Sequence, residues 1–344
     1  MAAKAISNNQ FRLTTKQQLS EYITDLAWSA DELLAATTAS GEVALWQQDR
    51  FEMLASASGY SLSCVGFSRD GSYLAVAGQQ GEVTVWQLNL QGDCELVTKI
   101  QTEKAWIDTL SWHPDKNILA YAVNKQVFLW DADSKQEVTH FDFEDSSVFA
   151  LAWRPQGDLI AASGHGGVKI WQLQDIDKKP YILEVPGASL HCAWSADGSY
   201  LASGNLDRTV SILHWDNPPP WLMQGFPSKV SQVAWFNYSN RDVVATTCQE
   251  GVIIWQRKSD NWENHVLNHE QTVKAIAVND SLLASAGSDR SVQLWQGKKL
   301  LKSLKGASSA VSCLAWHSSG TYLAAGSTNG ELLIWHSTSG RGFG

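Results

Sequence analysis

The sequence repeats one pattern of about forty residues eight times. Near the start, GSYLAVAGQQGEVTVW ends at Trp86, and close to the end GTYLAAGSTNGELLIW ends at Trp335, 249 residues later. Successive units end 40 to 44 residues apart, at Trp46, Trp86, Trp130, Trp171, Leu213, Trp255, Trp295 and Trp335. A fixed period of this length is the signature of a propeller or a solenoid, in which each unit buries its faces against the next one.

Each unit predicts three short β-strands and a more variable fourth strand. The first strand is apolar and ends in Trp or Phe in seven units, while Val278 takes this place in the seventh unit. Polar turns such as SRDG and HSSG follow, and the third strand, for example EVTVW, alternates with a period of two. Because helical periodicity does not occur at length, the sequence predicts an all-β fold made of four-stranded antiparallel sheets.

The two ends of the repeat array predict how the ring closes. After Trp335 the segment HSTSGRGFG is too short and too rich in glycine for a fourth strand, so we expect residues 11–20 to pair as the outer strand of the last unit. The main prediction is an eight-bladed propeller that forms one domain over residues 10–335. Flexible tails are expected at residues 1–9 and 336–344. Seven blades are the alternative, which would require one unit not to be a blade.

These units resemble the WD-repeat family, whose β-propellers have four-stranded blades of about 40 to 45 residues that close with Trp-Asp. The pair Trp130-Asp131 closes its unit in this way, whereas most other units close with Trp-Gln. The resemblance implies a structural hydrogen-bonded tetrad in the seventh unit, formed by His269, Ser285, Asp289 and Trp295. In the fifth unit Ser203 and Asp207 match the tetrad, but Leu213 replaces the tryptophan.

The resemblance also implies a noncatalytic protein-interaction scaffold. Partners of such propellers would bind the top face, which is formed by the loops entering the first strand of each unit and by the turns between the second and third strands. The candidate residues on this face are Tyr22, Asp25, Tyr60, Trp106, Asp108, Phe149, His191, Gln232 and Lys274. Their aromatic and acidic members lie mainly in units one to four, which favours a partner segment with apolar and basic residues.

The alternative is an enzyme, or a binder of a metal or a small ligand, that uses the central channel. The one acid–base pair to consider is Asp25 with His191, which we expect to be too far apart because they lie in units one and five. Asp25, Cys64 and Cys313 are weak candidates for a metal site, and packing is the favoured interpretation of their positions. No cofactor is predicted.

A second candidate patch follows the proline run in DNPPP and consists of Trp221, Leu222 and Met223. One interpretation is an exposed apolar docking patch. The other is an outer strand with one buried face.

Charge, hydropathy and cysteine spacing limit the partners and the compartment that the sequence predicts. The net charge is −9 and the lysines and arginines are scattered, which argues against nucleic-acid binding. No apolar run approaches membrane-spanning length, so no membrane insertion is expected. The five cysteines form no CxxC pair, which is typical of free thiols in a reducing compartment. We therefore predict a cytoplasmic protein that is monomeric by itself.

Overall fold

The computed structural model describes residues 11–48, 50–89, 93–103, 105–217, 219–258 and 261–337. Within these ranges the chain forms thirty β-strands and no helix, so the predicted all-β class is confirmed. The predicted tail at residues 1–9 lies outside the described residues, as do residues 338–344 of the other tail. His336 and Ser337 belong to the last strand.

The first half of the chain forms regular groups of four strands. Strand β1 spans Phe11–Gln18 and precedes the first repeat. The strands of repeats one to three are β2 (Ile23–Trp28), β3 (Leu34–Thr38), β4 (Val43–Gln47), β5 (Arg50–Ala55), β6 (Leu62–Phe67), β7 (Tyr73–Gly78), β8 (Glu82–Leu88), β9 (Cys94–Gln101), β10 (Leu110–Trp112), β11 (Ile118–Val123), β12 (Gln126–Asp131) and β13 (Gln136–Asp142).

Repeats four and five form six strands, two of which are fourteen residues long. They are β14 (Ala150–Trp153), β15 (Leu159–Gln172), β16 (Tyr181–Trp194), β17 (Tyr200–Asn205), β18 (Val210–His214) and β19 (Trp221–Met223). Repeats six to eight are regular again. Their strands are β20 (Val233–Asn237), β21 (Asp242–Cys248), β22 (Gly251–Lys258), β23 (Asn261–Asn268), β24 (Val273–Asn279), β25 (Leu282–Gly287), β26 (Val292–Gln296), β27 (Lys299–Leu304), β28 (Val311–Trp316), β29 (Tyr322–Ser327) and β30 (Glu331–Ser337).

Hydrogen bonds group the described strands into seven sheets. Six sheets are four-stranded and antiparallel, and the seventh contains the six strands β14 to β19. The sheet count agrees with the seven-bladed alternative, and the main prediction of eight separate blades is wrong. The physical reason is that β15 pairs with β14 through 160–163 and with β16 through 165–170, while β16 continues through 189–194 to pair with β17. Repeats four and five therefore share one sheet.

The predicted closure by the N-terminal segment is confirmed. Strand β1 pairs antiparallel with β30, from Phe11 opposite Ser337 to Gln18 opposite Glu331. The buried ring of Phe11 packs edge-on against Trp316 at 5.5 Å. Lys16 Nζ lies 2.6 Å from the buried carboxylate of Glu331. Strand β1 is thus the outer strand of the sheet that β28, β29 and β30 form.

The apolar core lies between repeats. Eight buried clusters in the described part of the chain each combine side chains of two consecutive repeats. One cluster joins repeats four and five through Ile170 and Trp194, and another joins the eighth repeat to the first through Ile334 and Trp46. The inner strands also contact one another in a closed series, which runs β2, β6, β10, β14, β16, β20, β24, β28 and back to β2. Packing is therefore continuous around the ring, including across the shared sheet.

Tryptophans at the ends of inner strands fasten one repeat to the preceding one by hydrogen bonds. Their indole N–H groups donate to backbone carbonyls as follows: Trp28 to Ala315 at 3.1 Å, Trp112 to Gly66 at 2.9 Å, Trp153 to Ser111 at 3.0 Å and Trp235 to Ala193 at 3.0 Å. Each acceptor directly precedes the corresponding aromatic residue of the neighbouring repeat. The bond from Trp28 joins the first repeat to the eighth and so closes the ring.

Candidate functional site

Asp25 lies on the inner strand β2 and links the first two repeats. Its Oδ1 accepts a hydrogen bond from the backbone N–H of Leu26 at 2.9 Å, and its Oδ2 accepts one from Val65 at 3.0 Å. Burial raises the pKa of Asp25 to about 6, against the opposing effect of these two hydrogen bonds. No cation of the described chain forms an ion pair with this carboxylate.

Two buried thiols flank Asp25. Cys64 Sγ lies 3.7 Å from the carbonyl oxygen of Ile107, and Cys313 Sγ lies 3.7 Å from that of Ile23. Burial, followed by the charge of Asp25, raises the pKa of Cys313 to about 12 and that of Cys64 well above its ordinary value. Both thiols are therefore protonated and bonded to the backbone. Among the described residues, no group of three or more His, Cys, Asp and Glu side chains is arranged to hold a metal ion.

Trp106 and Asp108 extend this region into the third repeat. The Trp106 side chain is 50% exposed, and its indole N–H donates to Ser63 Oγ at 2.6 Å. Burial raises the pKa of Asp108, while a hydrogen bond from Ser63 acts in the opposite direction. Ser63 therefore holds both side chains, a role that the sequence analysis missed. Its position directly before Cys64 on an inner strand was the available signal.

The other three aromatic candidates differ in their surroundings. Tyr22 is half-buried near Asp25, and burial followed by the charge of Cys313 raises its pKa. Tyr60 is exposed, and the exposed ring of Phe149 packs edge-on against His165 at 5.8 Å. Tyr22 therefore lies beside Asp25, whereas Tyr60 and Phe149 expose their rings in repeats two and four.

Two polar candidates in later repeats have a structural role. Gln232 Oε1 accepts a hydrogen bond from the backbone N–H of Ile276 at 3.0 Å, which repeats the arrangement of Asp25 between another pair of repeats. His191 Nδ1 lies 3.5 Å from the backbone nitrogen of Val233. Burial alone lowers the pKa of His191 to about 4, so no charge on Asp25 acts on it. The structure does not bring Asp25 and His191 together. Lys274 is exposed.

The four tetrad residues of the seventh repeat form a chain of hydrogen bonds. His269 Nδ1 is 2.8 Å from Asp289 Oδ2, and its Nε2 is 2.7 Å from Ser285 Oγ. The indole N–H of Trp295 donates to the same Ser285 oxygen at 2.8 Å. This buried network ties the entry loop to the second and third strands of its sheet.

The fifth repeat replaces the tetrad by a different network. Ser203 Oγ donates to Asn205 Oδ1 at 2.7 Å, and the Asn205 side-chain amide donates to Thr209 Oγ1 at 2.9 Å. Thr209 in turn donates to Asp207 Oδ1 at 2.7 Å. Ser203 and Asp207 are thus connected through two residues that the resemblance did not single out.

The second candidate patch divides between surface and core. Leu222 is 48% exposed, but Met223 is buried among the side chains of repeats five and six. Trp221 packs edge-on against Trp262 at 5.9 Å. Strand β19 therefore resembles an outer strand with one buried face, and within the patch only Leu222 is largely exposed.

Comparison with known families agrees with this architecture. The family described as "WD domain, G-beta repeat" matches residues 183–216, 262–296 and 298–336. The family described as "Anaphase-promoting complex subunit 4 WD40 domain" matches residues 67–156 and 110–179. Together these matches cover parts of repeats two to eight.

Several curated proteins are similar over most of the chain. Mouse (Mus musculus) "Telomerase protein component 1" is 24% identical over 276 residues, which are 79% of this chain and 9% of that protein. The "WD repeat-containing protein WDS homolog" of Arabidopsis thaliana is 23% identical over 287 residues, which are 79% of this chain and 54% of that protein. This chain spans about half of the length of such relatives, or much less.

A solved structure supports the same fold. The computationally designed Ika8 protein superposes with a TM-score of 0.76 at 19% identity, covering 93% of this chain and 98% of the designed one. No helix in the described ranges is long and apolar enough to cross a bilayer. Four observations agree: the forty-residue period, the closing strand β1, the packing between consecutive repeats and the family matches. The chain belongs to the WD-repeat β-propeller family.

Proposed function

We propose that this protein is a noncatalytic scaffold that binds a segment of a partner protein on its top face. Propellers of this family generally act as protein-interaction scaffolds. The proposed site is the acidic–aromatic sector, defined here as Tyr22, Asp25, Ser63, Trp106 and Asp108 in repeats one to three. The partner segment carries a lysine or arginine beside a large apolar residue.

The observation that carries the proposal is the pair of carboxylates beside an exposed tryptophan. Asp25 and Asp108 both have raised pKa values, and no ion pair within the described chain neutralises either of them. A cation of a partner would stabilise their charged forms, and Trp106 supplies the kind of ring that dominates binding interfaces. Because bound cation and proton compete for Asp25, binding should be stronger at pH 7 than at pH 5.

The proposal includes no catalysis. General acid–base chemistry needs two groups in hydrogen-bond reach of one reacting atom. Asp25 and His191 are the only pair on this face that the sequence suggests, and each has its pKa shifted by burial without a contribution from the other. His191 instead approaches the backbone of the next repeat.

We also propose that residues 10–335 act as one monomeric unit in the cytoplasm. The continuous packing around the ring supports a single unit. All five cysteines are free, which suits a reducing compartment. The net charge of −9 disfavours nucleic acid as the partner.

The test is affinity purification of the tagged full chain followed by mass spectrometry. The variant Trp106→Ala/Asp108→Asn should lose partners that the wild type retains, because it removes the exposed ring and one carboxylate. The control Ile176→Ala/Asp177→Asn removes an exposed apolar and an exposed acidic side chain from the loop between β15 and β16 in repeat four, and it should retain them. Synthetic segments of the retained partners should then bind more tightly at pH 7 than at pH 5, by up to about tenfold for a group with a pKa of about 6. Equal capture by both variants would refute the assignment of this face.

A further inference from the structure

The cations of the outer strands are concentrated in repeats seven and eight. The strands β13, β16, β19 and β23, which include the outer strands of repeats three to six, contain no lysine or arginine. In β5, Arg50 pairs with Glu52 at 2.6 Å. In β9, Lys99 pairs with Glu82 at 2.9 Å. The outer strands of the last two repeats, β27 and β1, carry four cations: Lys299, Lys302, Arg12 and Lys16. Protection of sheet edges against pairing is needed in every repeat, so it does not explain this concentration.

Strands β1 and β27 lie side by side and are held together by two lysines. Lys302 Nζ donates a hydrogen bond to the carbonyl oxygen of Phe11 at 2.8 Å. Lys16 Nζ donates to the carbonyl oxygen of Gly306, just after β27, at 3.0 Å. The side chain of Leu13 lies against Gly306 and is 40% exposed. The outer strands of repeats seven and eight therefore form one continuous surface.

The register of β27 places two of its lysines on the side that faces β1. Lys302 lies opposite Leu294, which belongs to the core cluster between repeats seven and eight. Leu300 lies opposite Trp295, which belongs to the cluster between repeats six and seven. Because directly opposite residues share a face and neighbours along a strand alternate, Lys299 faces the same side as Lys302.

Positive charge exceeds negative charge on this surface. We call it the basic rim and define it by Lys16, Lys299, Lys302 and Lys305. Lys16 pairs with Glu331 at 2.6 Å, and no ion pair of the described chain involves the other three lysines. Lys298, in the turn before β27, is left out because its charge acts on Glu263 of repeat six. The four lysines less one glutamate leave a local excess of three positive charges, although the whole chain carries −9.

The contrast between local and total charge selects the kind of occupant. A membrane surface or a nucleic-acid duplex is a large anion, so the net charge of −9 repels it. A short acidic segment meets mainly the lysines that it touches, because charges beyond a Debye length of about 8 Å are screened. The six residues of β27 span about 20 Å, which matches an extended segment of similar length. The exposed side chain of Leu13 adds an apolar contact.

We propose that the basic rim binds an extended protein segment of about six residues in which glutamates or aspartates flank a large apolar residue. The carboxylates pair with the amines of Lys299, Lys302 and Lys305, and the apolar residue packs on Leu13. The rim lies on the outer circumference of repeats seven and eight, so this site goes beyond the proposed function of the acidic–aromatic sector in repeats one to three. One propeller can then hold two segments of opposite charge.

A binding titration of the full chain tests the basic rim. The probes are the capped, fluorescein-labelled peptide Gly-Glu-Glu-Leu-Glu-Glu-Gly, its counterpart with glutamine for glutamate, and vesicles of equal parts phosphatidylserine and phosphatidylcholine. The glutamate peptide should bind saturably, and the glutamine peptide at least about tenfold more weakly. The variant Lys299→Gln/Lys305→Gln removes two exposed cations and should weaken binding of the glutamate peptide about fivefold. The control Lys178→Gln/Lys179→Gln removes the same charge from the exposed loop between β15 and β16 and should leave the affinity unchanged.

Carbodiimide crosslinking locates the contact, because it joins a carboxylate of the bound peptide to a lysine amine beside it. Mass spectrometry should find the glutamate peptide on Lys299 and Lys305 and not on Lys178 or Lys179. An absence of saturable binding, an equal effect of the two variants, crosslinks outside the rim, or vesicle binding that the rim variant weakens would each overturn the inference. Trp106 and Asp108 are unchanged in both variants, so such a failure would not touch the proposed function.

Discussion

The hydrogen bonds between repeats can be tested by comparing two tryptophans at the same place in neighbouring repeats. Trp235 and Trp194 both end an inner strand, and each is 8% exposed. The indole N–H of Trp235 donates to the carbonyl of Ala193 at 3.0 Å, whereas the buried indole nitrogen of Trp194 has no hydrogen-bond partner in the described structure. Replacing either residue by phenylalanine removes the same ring volume, but only Trp235→Phe removes a bond between repeats.

The expected difference follows from the cost of that bond. Each substitution loses apolar burial of about 1–2 kcal/mol. Trp235→Phe also leaves the Ala193 carbonyl without its indole donor, which costs about 1–2 kcal/mol more. Trp194 loses part of its contact with the Arg154 guanidinium, 5.8 Å from its ring, which is worth about 0.5 kcal/mol. Trp235→Phe should therefore be more destabilising than Trp194→Phe by about 1 kcal/mol.

Urea unfolding followed by circular dichroism measures this difference. The two variants should show the same dependence on urea concentration as the wild type and differ in their midpoints, with Trp235→Phe unfolding first. If the two variants unfold at the same urea concentration, or if Trp194→Phe unfolds first, the indole bonds do not fasten the repeats and the reasoning is wrong.

Three further changes address the pH response, the closure of the ring and the tetrad. The pKa of Asp25 rises from 3.8 in the unfolded chain to about 6 in the folded protein. Protonation of Asp25 therefore stabilises the fold below pH 4. This contribution to the free energy of unfolding is at most about 3 kcal/mol, and it is lost as the pH rises through 6. The stability of Asp25→Asn relative to the wild type, measured by urea unfolding, should therefore increase from pH 4 to pH 7. A difference in stability that does not change with pH would contradict the burial of this carboxylate. Phe11→Ala should cost about 3–4 kcal/mol in thermal or urea unfolding, while Leu13→Ala, 40% exposed on the same strand, should cost under about 1 kcal/mol; equal costs would show that β1 does not pack as described. Ser285→Ala should cost about 2–3 kcal/mol because it leaves two buried ring nitrogens unpaired, and hydrogen exchange should increase in its sheet first; an unchanged stability would remove the tetrad as a stabilising element.

Local features of the sequence predicted the strands and the closing segment because both depend on short-range patterns. The alternation in units such as EVTVW and the forty-residue period define where strands begin and end. The short, glycine-rich segment after Trp335 predicted a partner strand from residues 11–20, and β1 occupies Phe11–Gln18.

The shared sheet of repeats four and five could not be predicted in the same way. The SGHGGV segment (residues 163–168) has the glycines typical of a turn between two strands, yet it lies within the continuous strand β15. The spacer before Trp194 carries no signal for continuous pairing. The bridge depends on His165 lying opposite Ala188, which brings together residues from the turn of one repeat and the entry of the next. Such a register arises from the three-dimensional path of two spacers.

In the candidate site, too, the sequence predicted the positions of the residues and not their contacts. Asp25, Cys64 and Cys313 occupy equivalent positions of neighbouring repeats, so the period alone predicted that they face one region. Their hydrogen bonds to backbone atoms of adjacent repeats depend on distances that a sequence does not contain. The same is true of Trp221 and Trp262, whose contact depends on how two irregular spacers fold.

Site-specific photo-crosslinking from the top face tests the functional account most directly. A benzophenone side chain in place of Trp106 reports on whatever segment binds the acidic–aromatic sector, and the same group in place of Ile176, which is exposed outside every candidate site, provides the background. The account predicts that position 106 captures protein segments with a lysine or arginine beside a large apolar residue, and that Asp108→Asn reduces this capture. Capture from position 106 that does not exceed the background, or captured segments without basic residues, would contradict it.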